Sequence, residues 1–183
     1  MARLIAEKAD IVPLLAEVFR QYGFEGASLA RIGEGTRLGK GSIYHFFPGG
    51  KEEMADAVLA DIDAWFRDNI FTPLAESAEP GAGIARMFAD VERYFDSGQR
   101  ICLLGVFALG SERDRFAARV QGYFAAWIAA LGAALQRSGH AALEASELAE
   151  ETVAGIQGAL VLSRALQTPA SFRTALQRLQ RRL

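Results

Sequence analysis

Between Ser28 and Lys51 the sequence carries Arg31, Arg37, Lys40 and Lys51 against one carboxylate, Glu34, although the whole chain has a formal net charge of -2. A locally basic segment on a mildly acidic protein suits contact with a polyanion on one face without adhesion over the rest. Charge alone fits a solvated face equally well. Catalytic chemistry finds no comparable set of residues. His45 and His140 are far apart in sequence, and neither belongs to a metal-spacing motif such as His-Glu-x-x-His. No glycine-rich loop follows a strand, and there is no nucleophile elbow. Neither enzyme activity nor a cofactor or metal is expected. The single cysteine, Cys102, has Ile101, Leu103 and Leu104 as neighbours, which reads as an inert buried thiol rather than a redox sensor.

The elements that must hold the basic segment are helical. Spacing of 3.6 residues recurs along the chain, no strand-like alternation persists, and nothing repeats at a fixed period. An all-α protein of roughly nine helices follows. The first is expected from Leu4 to Tyr22, stopped by Gly23, with Pro13 as a place to kink. Ser28 can cap a short helix from Leu29 to Thr36, a turn falls at Arg37 and Leu38, and another short helix runs from Gly39 to Phe46 before Pro48-Gly49-Gly50. A long helix is expected from Lys51 to Phe71, broken at Pro73 and over Glu76 to Gly83. Ile84 to Asp96, Ile101 to Leu109, Glu112 to Gln136, Ser146 to Gln167 and Ala170 to the end complete the set. The break at residues 48–50 divides the chain into residues 1–50 and residues 51–183.

Size and composition set the remaining bounds. With 183 residues, 51% of them hydrophobic, the chain can bury a substantial core without disulfides. Its longest apolar stretches, Ile101 to Leu109 and Tyr123 to Leu135, fall short of the roughly 20 residues that cross a bilayer, so no membrane partner is expected. Charges at Arg3, Glu7 and Lys8 interrupt what would be the apolar core of a signal peptide. Together with the lone cysteine this places the expected location in the cytoplasm.

Two short helices joined by a tight turn, the second one basic, have the form that a major groove accepts. Leu29, Ile32, Leu38, Ile43 and Phe46 can hold the pair together, leaving Arg37, Lys40, Ser42, Tyr44 and His45 outside. Gly41 and Ser42 are small enough for backbone to approach DNA closely. The same spacing also describes an ordinary helical hairpin with polar residues turned to water.

The run Lys40-Gly41-Ser42-Ile43-Tyr44-His45-Phe46-Phe47-Pro48-Gly49-Gly50-Lys51-Glu52-Glu53-Met54 resembles the signature of the TetR family of transcription regulators. The likeness covers about residues 5–54, and its Phe-Pro-Gly-Gly-Lys-Glu form is similar to the branch that contains antibiotic- and flavonoid-responsive repressors. The resemblance implies a helix-turn-helix DNA-binding domain over residues 1–50 and a C-terminal helical bundle over 51–183 for ligand binding and dimerisation. It implies that Ser28 caps the second helix and touches a phosphate, that Lys40 and Ser42 face bases or nearby phosphates, and that Tyr44 and His45 donate to the DNA backbone. Lys51 would hold a phosphate at a helix start, where free N–H groups assist. Two positions depart from the family pattern. Arg37 stands where a turn glycine is usual, so its turn is strained or altered, and Gly39 stands where Ser or Thr often caps.

The resemblance further implies a homodimer on a palindromic operator and release by a small hydrophobic or aromatic effector. Trp65, Phe66, Met87, Phe88, Phe95, Phe107, Tyr123 and Trp127 are candidates to line a pocket, with ordinary core packing as the alternative. Leu148, Thr152, Gly155, Ile156, Ala159, Leu160 and Ser163 form one candidate dimer seam, and Phe172, Leu176 and Leu179 another. Those faces can equally cap their own bundle. The alternative function is a helical protein-interaction module that has lost DNA binding.

Overall fold

The computed structural model describes residues 7–110 and 113–183. It contains α1 (Lys8–Gly26), α2 (Leu29–Thr36), α3 (Lys40–Phe46), α4 (Gly50–Phe66), α5 (Thr72–Glu76), α6 (Pro80–Tyr94), α7 (Leu103–Leu109), α8 (Arg113–Arg137), α9 (Ala142–Ala165) and α10 (Pro169–Gln180). Residues 50–76 form one continuous run, so nine helical rods stand among the described residues, and none of these is a strand. None of their helices is long and apolar enough to cross a membrane. Leu4 and Ile5, expected in the first helix, and Glu112 lie outside the described residues.

Local chemistry explains most boundaries. In α1, Glu7 and Asp10 form a reciprocal capping box, and the helix carries through Pro13; its one break is at Gly23, where φ is 67°. The expected stop at Pro73 does not occur. A π turn at Arg67–Phe71 leads into α5, and the Thr72 amide donates to the Arg67 carbonyl, five residues back. Proline lacks an N–H and crowds the preceding turn, and the wider register accommodates it without ending the rod. Pro80 and Pro169 begin α6 and α10, where a missing amide hydrogen costs nothing. These two helices therefore start earlier than the spacing predicts, and α9 likewise starts at Ala142.

The body is built around Phe66. Its ring lies 4.8 Å from Tyr94, 5.0 Å from Tyr123 and 5.2 Å from Trp127, centre to centre. The Trp127 indole N–H points at Met87 Sδ, 3.5 Å away, and Phe95 meets Phe172 of α10. Phe66, Met87, Phe88, Phe95, Phe107, Tyr123 and Trp127 are buried and Trp65 is half-buried against Tyr94. Most of these side chains fill the core, while Tyr123 also borders a groove between α4 and α8 and Trp65 one beside Pro13 and Arg100.

The candidate dimer residues pack largely within the protomer. Thr152, Ile156, Ala159, Leu160, Ser163, Phe172 and Leu176 are buried within the single chain, and Leu148 and Leu179 are half-buried against the same core. Gly155 shows why: a Cβ there would lie 2.8 Å from Leu179 Cδ2, so the seam joins α9 to α10 of one protomer. The apolar side chains left in water here are others: Leu143, Val161 and Leu162 of α9, and Leu166 just after its end.

Candidate nucleic-acid interface

The α2–α3 unit stands on α1. A Cβ at Gly35 would fall 2.3 Å from Val18 Cγ2, so α2 lies against α1 more closely than any larger residue permits. Ile32 and Ile43 are buried between the helices, with Leu29, Leu38 and Phe46 half-buried around them, as the spacing predicts. Ser28 caps α2, its hydroxyl accepting from the Arg31 amide at 3.4 Å.

Arg37 closes α2 in the left-handed conformation, φ 58° and ψ 27°. The Leu38 amide donates to Gly33 O at 3.2 Å and the Arg37 amide to Glu34 O at 3.3 Å, the paired bonds of a Schellman ending. The turn keeps the geometry that glycine favours and places arginine in it, at a cost of roughly 1–2 kcal/mol. Gly39 then caps α3 without a side-chain hydrogen bond, and a Cβ there would meet nothing within 4 Å.

With Ile43 turned inward, α3 presents Lys40, Gly41, Ser42, Tyr44 and His45 to solvent, next to exposed Arg37 and Ser28. Space around Gly41 is open as well. Among the described residues no carboxylate pairs with Arg37 or Lys40. The other two cations of the segment are engaged. Arg31 donates to Gly26 O at 2.7 Å and covers the Tyr22 ring at 4.3 Å, which ties α2 back to α1. Lys51, in the first turn of α4, lies 4.4 Å over the Phe24 ring and 3.8 Å from Glu25 Oε2.

One fixing element escapes sequence reasoning. Glu53 accepts from Lys8 Nζ at 2.8 Å and from the Gly49 amide at 2.8 Å, clamping the start of α1 to the Pro48–Gly50 turn. The Lys8 hydrogen bond, then the Gly49 amide, hold its carboxyl below the usual range. The Gly49–Glu53 spacing is a local signal, but Lys8 is a distant partner that no spacing discloses.

Comparison with known proteins agrees with this geometry. Residues 14–58 match the family described as "Bacterial regulatory proteins, tetR family", and residues 80–178 match "Transcriptional regulator LmrA/YxaF-like, C-terminal domain". The chain is 27% identical over 160 residues to the "Uncharacterized HTH-type transcriptional regulator YxaF" of Bacillus subtilis (strain 168), covering 85% of this chain and 84% of that one. It is 24% identical over 160 residues to the HTH-type transcriptional regulator LmrA of the same organism, covering 85% of each. Among solved structures, a TetR transcriptional regulator from Legionella pneumophila superposes with a TM-score of 0.80 at 18% identity, over 99% of this chain and 100% of that one. The TetR family regulator CifR, in a cysteine mutant solved with 26 bp operator DNA, superposes with a TM-score of 0.79 at 21% identity, over 99% and 98%. With one family match spanning more than half of its residues and a second covering the helix-turn-helix, this chain belongs to the TetR family of DNA-binding transcriptional regulators.

Proposed function

We propose that the protein is a cytoplasmic repressor that binds a palindromic operator as a homodimer and leaves it when a small hydrophobic or aromatic effector binds. In this reading residues 1–50 are the DNA-binding head and 51–183 the ligand-binding and dimerisation body, and no catalytic role is assigned. The observation that carries it is the outer face of α3, where Lys40, Ser42, Tyr44 and His45 stand exposed and, among the described residues, no carboxylate pairs with Lys40 or Arg37. Donors and unpaired cations on one short helix fit a groove lined with phosphates, with Lys40, Gly41 and Ser42 nearest the bases and Ser28, Arg37, Tyr44, His45 and Lys51 toward the backbone.

Dimerisation is supported by the apolar side chains that the protomer leaves uncovered. Leu109 is 88% exposed, Val161 64% and Leu166 63%. One short reading helix gives little specificity, and two related by symmetry read both halves of a palindrome.

Fluorescence anisotropy with the intergenic DNA next to the protein's own gene tests the reading. Binding is expected to be tight at low salt and to fall steeply as salt rises. Lys51→Ala should weaken binding to every sequence alike, whereas Lys40→Ala or Ser42→Ala should alter which sequences are selected from a random pool. Salt-insensitive binding, or no binding to that DNA, would favour an interaction module without DNA function.

A further inference from the structure

Arg20 of α1 has a side chain only 10% exposed, and its Nε is buried without a hydrogen-bond partner among the described residues. The carboxylate that reaches this guanidinium, Glu17 one turn earlier, takes Nη1 at 2.7 Å. A guanidinium offers five N–H groups in a fixed fork, and a buried one left unmet carries a desolvation cost that an acceptor would remove. Arg100 approaches from the body. It meets no carboxylate among the described residues; it donates to the Tyr94 carbonyl at 3.1 Å and covers the Tyr94 ring at 5.6 Å. A costly turn places it there: Asp96, Ser97 and Gly98 all take positive φ, 48°, 52° and 90°, and the Arg100 amide donates to Phe95 O at 2.9 Å.

Both arginines border a cleft of about 360 Å³ between α1, α4 and α6, a volume suited to a small molecule. Pro13, Ile62, Trp65 and Tyr94 give it apolar surface, with the Trp65 and Tyr94 rings 4.4 Å apart. Its other charged residues differ in what they already hold. Arg93 is bound to Asp90 at 2.7 Å, and Glu17 to Arg20. Asp61, exposed and one turn before Trp65 on the same face of α4, has no partner among the described residues. An unmet N–H on Arg20, a cation without a counter-ion on Arg100 and an unpaired anion on Asp61 thus share one aromatic cleft. In the groove between α4 and α8, by contrast, the charges close on one another, Arg119 on Asp56 and Arg67 on Asp63. None of the exposed Leu109, Val161 and Leu166 borders the cleft, so it is separate from the uncovered apolar face.

We propose that this cleft is the effector site and takes a small aromatic zwitterion of the amino acid class. Its carboxylate accepts from Arg20 and Arg100, its ammonium meets Asp61, and its ring lies on Trp65 and Tyr94. The inference rests on the reading of the chain as a ligand-responsive regulator and narrows the aromatic effector to this class. The position of the cleft supplies a route to DNA. Arg20 belongs to α1, on which α2 sits through the Gly35–Val18 contact, whereas Tyr94 and Arg100 belong to the body. An occupant that ties Arg20 to Arg100 favours one angle between head and body over others.

Calorimetric titration of the full chain with L-phenylalanine tests the site, and saturable binding of one molecule per protomer is expected. 2-Phenylethylamine, which lacks the carboxylate, should bind at least tenfold more weakly, the scale of a hydrogen bond to a charged group, and Arg20→Gln or Arg100→Gln should cost phenylalanine a comparable factor. 3-Phenylpropionate, which lacks the ammonium, should bind about three- to fivefold more weakly, the scale of one exposed ion pair. Because Asp61 is exposed and unpartnered, Asp61→Asn should leave the melting temperature unchanged. It should bring phenylalanine down to the level of 3-phenylpropionate without weakening 3-phenylpropionate itself, a selective loss that a damaged fold does not produce. No binding by the wild type, phenylalanine held no better than 3-phenylpropionate, or wild-type affinity in both arginine variants overturns the proposal. So does loss of affinity in Arg119→Gln, which would place the ligand between α4 and α8. Operator binding is followed separately by anisotropy and should weaken at least fivefold with saturating phenylalanine; a protein that binds both but keeps its operator affinity overturns the effector role. A protein that binds phenylalanine but no DNA refutes the regulator reading and leaves the site standing.

Discussion

Lys51 Nζ lies 3.8 Å from Glu25 Oε2, with the ammonium over the Phe24 ring. The proposed phosphate grip therefore starts from a lysine already held by its own chain. Glu25 is exposed, so the pair is weak in water, yet it opposes transfer of Lys51 to a phosphate. Glu25→Gln should tighten binding to all DNA sequences by up to about fivefold, the scale of one exposed ion pair. Anisotropy titrations of specific and scrambled duplexes check this. Unchanged affinity would remove Lys51 from the interface.

Arg37 occupies a left-handed position with its side chain in water. Arg37→Gly should relieve that conformation and raise stability by about 1 kcal/mol, net of glycine's greater unfolded freedom. In a protein of this length the gain corresponds to roughly 2–4 °C in melting temperature. DNA affinity should fall, with the slope of log K against log salt reduced by about 0.9, one phosphate contact. A more stable variant with an unchanged slope would mean that Arg37 serves only the turn.

The head was readable in the sequence because its determinants are local. Ser28 caps the helix that follows it, Ile32 and Ile43 fix the inward faces, and Arg37 with Gly39 mark a turn that the backbone dihedrals confirm. The body was readable as helices and not as surfaces. Ile156 and Val161 are both apolar residues of α9, yet Ile156 is fully buried and Val161 is 64% exposed. A helical stripe says that a face seeks apolar company, not whether its own bundle or another chain provides it. Pro73 shows a local rule overridden, because a π turn absorbs the proline that was expected to end the rod.

Glu53 supplies a pH-dependent restraint on the turn before α4. Its carboxyl is held below the ordinary 4.5 by Lys8 and then by the Gly49 amide. A group with a lowered folded-state pKa adds stability above its unfolded value and loses it as pH falls through the folded value. The stability difference between wild type and Glu53→Gln should therefore be constant from neutral pH down to about 5 and shrink toward zero as pH drops below the folded-state pKa. Urea unfolding of both proteins across that range measures it. A difference that persists undiminished in acid would show that the carboxylate charge is not what holds Lys8 and Gly49.

The packing of the reading unit hangs on Gly35, whose added Cβ would sit 2.3 Å from Val18 Cγ2. Val18 is buried in α1 and β-branched, so it has little rotamer freedom with which to yield. Gly35→Ala must push α2 away from α1 or strain the valine, at a cost of about 1–3 kcal/mol, despite alanine's better helix propensity. Because α3 is carried by α2, operator affinity should fall even though neither residue faces DNA. Val18→Ala alone should destabilise by leaving a small void, and combining it with Gly35→Ala should recover much of both losses, since one change empties the space that the other fills. Urea midpoints and anisotropy on the four proteins of this cycle decide the matter. Simple additivity of the two losses would mean that α2 gains its position from elsewhere.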